Sequence, residues 1–184
     1  NSAGLAKGVV AGAGRVTAFA EGALDTDATG FSNASANGNA ALYLAETGSV
    51  SATGISDTAS AEVKALNNLA NDGDAYVELL DASLASAEAD GQTATARAVA
   101  NEVHGAGEAF LNLSAGSTLL AKATASDDAR AAGATNFANE AGGMATAMVG
   151  GLIAVGADGD DEVEAGGVWN SSRFGDARMG VLGT

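Results

Sequence analysis

The feature that most constrains this chain is a period of about 34 residues. A seven-residue phrase opening on glycine recurs six times in 184 residues: GLAKGVV from Gly4, GNAALYL from Gly38, GDAYVEL from Gly73, GEAFLNL from Gly107, GGMATAM from Gly142 and GDARMGV from Gly175. A second landmark keeps the same beat, at Asn33, Asn67, Asn101, Asn136 and Asn170. Five repeats follow, 4–37, 38–72, 73–106, 107–141 and 142–174, with the start of a sixth at 175–184. They read as one domain spanning 1–184, because a unit this short cannot bury an apolar face alone and must stack on its neighbours.

Within each repeat the apolar positions alternate with period 2. Ala40, Leu42 and Leu44 form columns with Ala75, Val77, Leu79 and with Ala109, Leu111, Leu113; Met144, Thr146, Met148 and then Ala177, Met179, Val181 continue them. The intervening positions carry Asn39, Asp74, Glu78, Glu108 and Asn112, as a solvated strand face requires. Two further alternating runs follow in each repeat, such as LASAEAD and TATARAVA, the latter placing Ala94, Ala96, Ala98 and Ala100 on one face. Gly and Asp punctuate the joins. A period of 34 also suits tetratricopeptide helices, but their Trp, Leu-Gly and Tyr landmarks are missing and helices would scramble these columns. The pattern predicts an all-β fold: a β-solenoid of about five 34-residue coils, three short strands per coil, with an incomplete sixth coil. At the interstrand spacing such a stack is roughly 25 Å long.

Composition agrees with a narrow interior. Aromatic residues are 4% and the 47% apolar fraction is mostly alanine, so three facing strands would enclose small side chains. Proline is absent, as suits strands that must all stay paired. The asparagines have two readings: stacked amides that hydrogen-bond from rung to rung, as in cross-β ladders, or turn residues that bond their own backbone.

Solenoids normally finish in an atypical capping repeat. Here the first repeat is a weak copy and the last segment carries only a first strand. The expected consequence is head-to-tail assembly, with 175–184 adding to an incomplete first rung of the next subunit through Ala6, Val10, Ala177, Met179 and Val181. Such a heterologous contact need not close and builds filaments. A fraying tail that covers the last rung is the bland alternative.

In its Asn column and in stretches such as NGNAALYLAETGS, the chain resembles in type the fibre-forming subunits of bacterial functional amyloids, curlin among them. The repeats cover nearly the whole chain. Curlin repeats are shorter and rely on recurring glutamines, whereas Gln92 is the single glutamine here. The resemblance implies a secreted, extracellular structural subunit of a biofilm matrix, appendage or attachment fibre. Asn1 in place of an initiating Met is read as the trace of a removed secretory leader.

The remaining chemistry is sparse. A net charge of −15 disfavours nucleic acid, and no apolar run suits a membrane helix. Asp57, Asp90, Asp127, Asp128, Asp158, Asp160 and Asp161 recur between the second and third strands. Stacked at rung spacing they would repel unless a counterion intervened, which makes calcium the one cofactor suggested, beside solvated turn acids. His104 has no Ser or Cys companion and reads as a surface residue, so no catalytic role is expected. Tyr43, Tyr76 and Phe110 point outward, as a patch for surface or polysaccharide contact or as cross-strand packing. Asn33, Asn112 and Asn170 lie in N-x-[ST] sequons. The alternative to a filament is a monomeric module, a calcium-dependent adhesin or an ice-binder.

Overall fold

The computed structural model describes residues 4–182. The chain winds through three parallel sheets, one strand of each per turn. The first sheet holds β1 (Ala6–Val10), β4 (Ala40–Leu44), β7 (Ala75–Leu79), β10 (Glu108–Leu113), β13 (Met144–Val149) and β16 (Ala177–Val181) in that order. The second holds β2 (Arg15–Gly22), β5 (Ser49–Ser56), β8 (Leu84–Gly91), β11 (Thr118–Ala125) and β14 (Leu152–Asp158). The third holds β3 (Thr26–Ser35), β6 (Ser60–Ala70), β9 (Thr93–Val103), β12 (Ala129–Ala138) and β15 (Val163–Ser172). This is a β-solenoid of about five turns, three strands per turn, with no helix among the described residues.

The opening glycine of each turn is there because backbones touch. A side chain on Gly38, Gly107 or Gly175 would run into the carbonyl oxygen of Gly4, Gly73 or Gly143 one rung below. The column therefore passes through Gly143, not Gly142, and the fifth rung starts one residue later than the sequence pattern places it. Ala145 and Ala147 are consequently the buried residues of β13, while Met144, Thr146 and Met148 lie on its half-exposed face. A one-residue slip in a strand exchanges its two faces.

The third strands are longer than strict alternation anticipates, because each turns a corner. Gly30, Ala65, Ala98, Gly133 and Gly167 are passed over by the pairing, which resumes at Phe31, Leu66, Val99, Ala134 and Val168. A Cβ on Gly30 would lie 2.7 Å from the Ala65 carbonyl oxygen, so the corner admits only the smallest residues. Past the corner the inward phase shifts by one: Val99, Asn101 and Val103 point in where an alanine run alone would predict Ala100.

Two cores result. The larger is filled by the alanines of the second and third sheets and by Leu42, Val63, Leu66, Val77, Leu79, Leu111 and Leu119. The smaller joins Ala40, Ala75, Ala109 and Ala145 of the first sheet to Ala70, Val103 and Ala138 of the third. Small side chains mean modest burial per residue, about 0.8 kcal/mol per methylene.

The first rung is complete. β1, β2 and β3 all form and pair with β4, β5 and β6, which corrects the expectation of an incomplete first turn. β16 pairs with β13 of its own chain, Ala177 opposite Ala145 through Val181 opposite Val149.

Candidate functional site

The asparagines form a continuous amide ladder between the two cores. Asn33 Nδ2 donates to Asn68 Oδ1 at 2.8 Å, Asn68 to Asn101 at 2.9 Å, Asn101 to Asn136 at 2.8 Å and Asn136 to Asn170 at 2.8 Å. The second-rung member is Asn68, not Asn67. Asn67 lies one residue earlier, on the opposite face, where its Nδ2 reaches Ser32 Oγ at 3.4 Å. Two adjacent asparagines hid the distinction, and only the corner phase of β6 resolves it.

Each ladder amide also clamps the first sheet. Asn101 Nδ2 donates to the carbonyls of Ala75 (3.1 Å) and Phe110 (3.0 Å), one on its own rung and one on the next. Asn68 treats Ala40 and Tyr76 in the same way, and Asn170 treats Ala145 and Arg178. Two N–H groups serving three acceptors are shared bonds. The ladder is directional: Asn33 is its acceptor end and Asn170 its donor end, facing opposite ends of the rod. With their amides so committed, Asn33 and Asn170 are poor glycan acceptors, unlike outward-facing Asn112.

The acidic residues do not converge. Asp57, Asp160 and Asp161 lie in the turns between second and third strands, and Asp90 and Asp158 are exposed near the ends of β8 and β14. Asp127 Oδ2 accepts from Gln92 Nε2 at 2.9 Å, and Asp128 Oδ1 accepts from the Glu162 backbone N–H at 3.2 Å. Among the described residues no three acidic or histidine side chains are grouped to hold a metal ion. The calcium reading therefore finds no assembled ligand set within one copy.

On the outer face of the first sheet, Lys7 Nζ lies 4.9 Å from the Tyr43 ring centre, and the Tyr76 and Phe110 rings tilt against each other at 6.1 Å. Burial, followed by the hydrogen bond to Asp74 Oδ2, pushes the Tyr76 hydroxyl up to about 12. His104 faces Glu102 at 3.6 Å in the turn after β9.

The ends are the distinctive surfaces. Eleven large apolar side chains are exposed among the described residues, and none lies between 38 and 141. Leu5, Val9, Phe19 and Leu24 belong to the first rung; Leu152, Val163, Trp169, Phe174, Met179, Val181 and Leu182 belong to the last turn. Of the five residues expected at an interface, Met179 and Val181 are strongly exposed and Ala177 is exposed, while Ala6 lies half-buried on the open edge of β1. Val10 points instead into the larger core and is not available for contact.

Comparison with protein-family models finds no match, and no curated protein or solved structure shows significant similarity to the chain. No helix of the described residues is long and apolar enough to cross a membrane. The fold is consistent with a repeat module of structural or adhesin-like kind.

Proposed function

We propose that this solenoid is the structural subunit of a secreted filament, built by head-to-tail stacking of rungs outside the cell as matrix, appendage or attachment fibre. The role is mechanical and not catalytic. One observation carries the reading: exposed large apolar side chains, among the described residues, are confined to the two end rungs, and the same rungs present unpaired strand edges of opposite sense. An edge with apolar neighbours is a template for a further strand, and a heterologous contact between opposite ends propagates without closing. The lateral faces, by contrast, carry charge: Lys122 Nζ pairs with Glu88 at 3.0 Å and Arg130 Nη2 with Glu162 at 3.0 Å. The net charge of −15 keeps rods apart sideways while the ends join.

Negative-stain electron microscopy of the purified protein, at low and high salt and with and without calcium, tests this. Unbranched filaments one solenoid wide are expected, forming more readily at high salt because two copies of net charge −15 repel. Monodisperse short rods under every condition, up to the highest soluble concentration, would refute the filament reading.

A further inference from the structure

The repeat register states which residues of two copies must meet if rungs continue across a joint, and this inference rests on the filament reading above. We infer that the joint is a strand exchange: β2 and β3 of the incoming copy pair with β14 and β15, β1 takes the place over β13, and β16 of the receiving copy yields it.

Pairing within the molecule fixes the columns. Phe19 aligns with Thr53, Glu88, Lys122 and Gly156; Thr17 aligns with Ala154. A β2 laid on β14 therefore sets Phe19 beside Gly156. The fit is specific. Phe19 is 63% exposed, while a Cβ built on Gly156 meets nothing within 4 Å. Two shallow hollows adjoin Gly156 on this face, and Lys122 borders both. An aromatic ring lying across a cross-strand glycine fills such a space.

The amide ladder supports the same register. Asn33 and Asn170 occupy one column, so β3 on β15 presents the acceptor Asn33 Oδ1 to the donor Asn170 Nδ2. The ladder would then run unbroken from copy to copy.

Direct stacking brings one conflict. β1 of the incoming copy and β16 of the receiving copy are both first strands over β13, and both read Ala-[Lys/Arg]-x-x-Val, as Ala6–Val10 and Ala177–Val181. Two strands cannot hold one place. β1 is the better fit to the incoming rung: the Phe31 ring lies so close over Gly8 that a Cβ there would sit 2.7 Å from Phe31 Cε1. Met179 in that column would strike the ring. β16 offers five residues of pairing, whereas β14 and β15 gain seven and nine. β16 is the strand that leaves.

Engineered cysteines test the register cleanly, because the chain contains none. Thr17 and Ala154 lie four rungs apart within one copy, roughly 19 Å, too far for an internal disulfide. In filaments of the Thr17→Cys/Ala154→Cys protein, mild oxidation should give a ladder of covalent multimers on non-reducing gels that collapses on reduction. Ala6→Cys/Ala177→Cys, which reports instead a joint where β16 stays and β1 packs on it, should remain monomeric. A ladder only from the second pair, or filaments with no ladder from either, would overturn the exchange while leaving the filament intact. Absence of any multimer and of filaments would overturn both. As an independent check, Phe19→Ser and Gly156→Leu change exposed positions and leave the rod folded, yet each should raise the concentration needed for filaments by about tenfold or more. Unchanged thresholds for both would show that Phe19 does not seat at Gly156.

Discussion

Leu111 and Met179 stand in the same column of the first sheet, the one through Leu42, Val77 and Ala147. Leu111 is 0% exposed and Met179 is 59% exposed. Neither side chain is less apolar in kind, and both strands have the same pleat. The difference is the presence of a rung above. Burial in this fold is conferred by the neighbouring turns together with a full set of three strands in the turn itself, as Val10 shows at 8% exposed in the complete first rung. The middle rungs hold the rod together, and the end rungs carry unspent capacity for the same contacts.

Middle and end rungs differ most at the amide ladder. Asn101 is fully buried, bonded above and below and to two carbonyls, so Asn101→Ala leaves Asn136 Oδ1 without its donor and takes from Asn68 Nδ2 one of its three acceptors. It should cost about 2–4 kcal/mol. Asn170→Ala removes an equivalent amide at the partly exposed end and should cost under about 1 kcal/mol. Urea unfolding of both variants measures the gap; equal losses would mean that rung position does not matter.

Glycine gives a second, smaller contrast. Gly107→Ala drives a methyl group into the Gly73 carbonyl oxygen and should destabilise by about 1–3 kcal/mol. Gly156→Ala points into open space and should be near neutral in the free monomer. Thermal unfolding at a concentration below assembly separates the two. A neutral Gly107→Ala would show that the rungs can part at the glycine column without penalty.

The period, the strand count per coil and the parallel stacking were legible in the sequence because glycine contacts and inward alanines repeat at fixed spacing. What escaped were single-residue phases. Asn67 and Asn68 are chemically identical neighbours, and the choice between them depends on Ala65 turning the corner of β6. Gly142 and Gly143 pose the same ambiguity, settled only by which one lies under Gly175. A corner leaves little mark when the residue that turns it is alanine in an alanine run, as at Ala98. The Asn column itself was visible, but its bonds to first-strand carbonyls depend on two strands about 25–28 residues apart meeting across the smaller core. The aspartates looked like a stack in sequence, yet the turns that carry them differ in length, so the carboxylates diverge.

The smallest contrast lies in surface charge. In the middle of the rod, Lys64 and Arg97 are paired directly across adjacent strands, a like-charge contact that Glu62 relieves at 2.9 and 3.0 Å. The Lys64 ammonium first, and the Arg97 guanidinium with it, hold the Glu62 carboxyl below its ordinary 4.5. A carboxylate lowered in the folded state contributes stability above its unfolded value and loses it as pH falls through the folded one. Glu62→Gln should therefore cost up to about 0.5 kcal/mol at pH 7, limited because the Glu62 side chain is 45% exposed and screened. The difference from wild type should shrink as pH falls below 4.5 and disappear once Glu62 is protonated in the folded state. At the last turn, Arg178 and Asp176 meet at 3.2 Å with both side chains largely in water, and Asp176→Asn should cost nothing measurable at pH 7. Paired urea titrations between pH 3 and 7 would distinguish the sites. A loss for Asp176→Asn as large as that for Glu62→Gln would show that the end turn is as ordered electrostatically as the middle, against everything its exposed side chains imply.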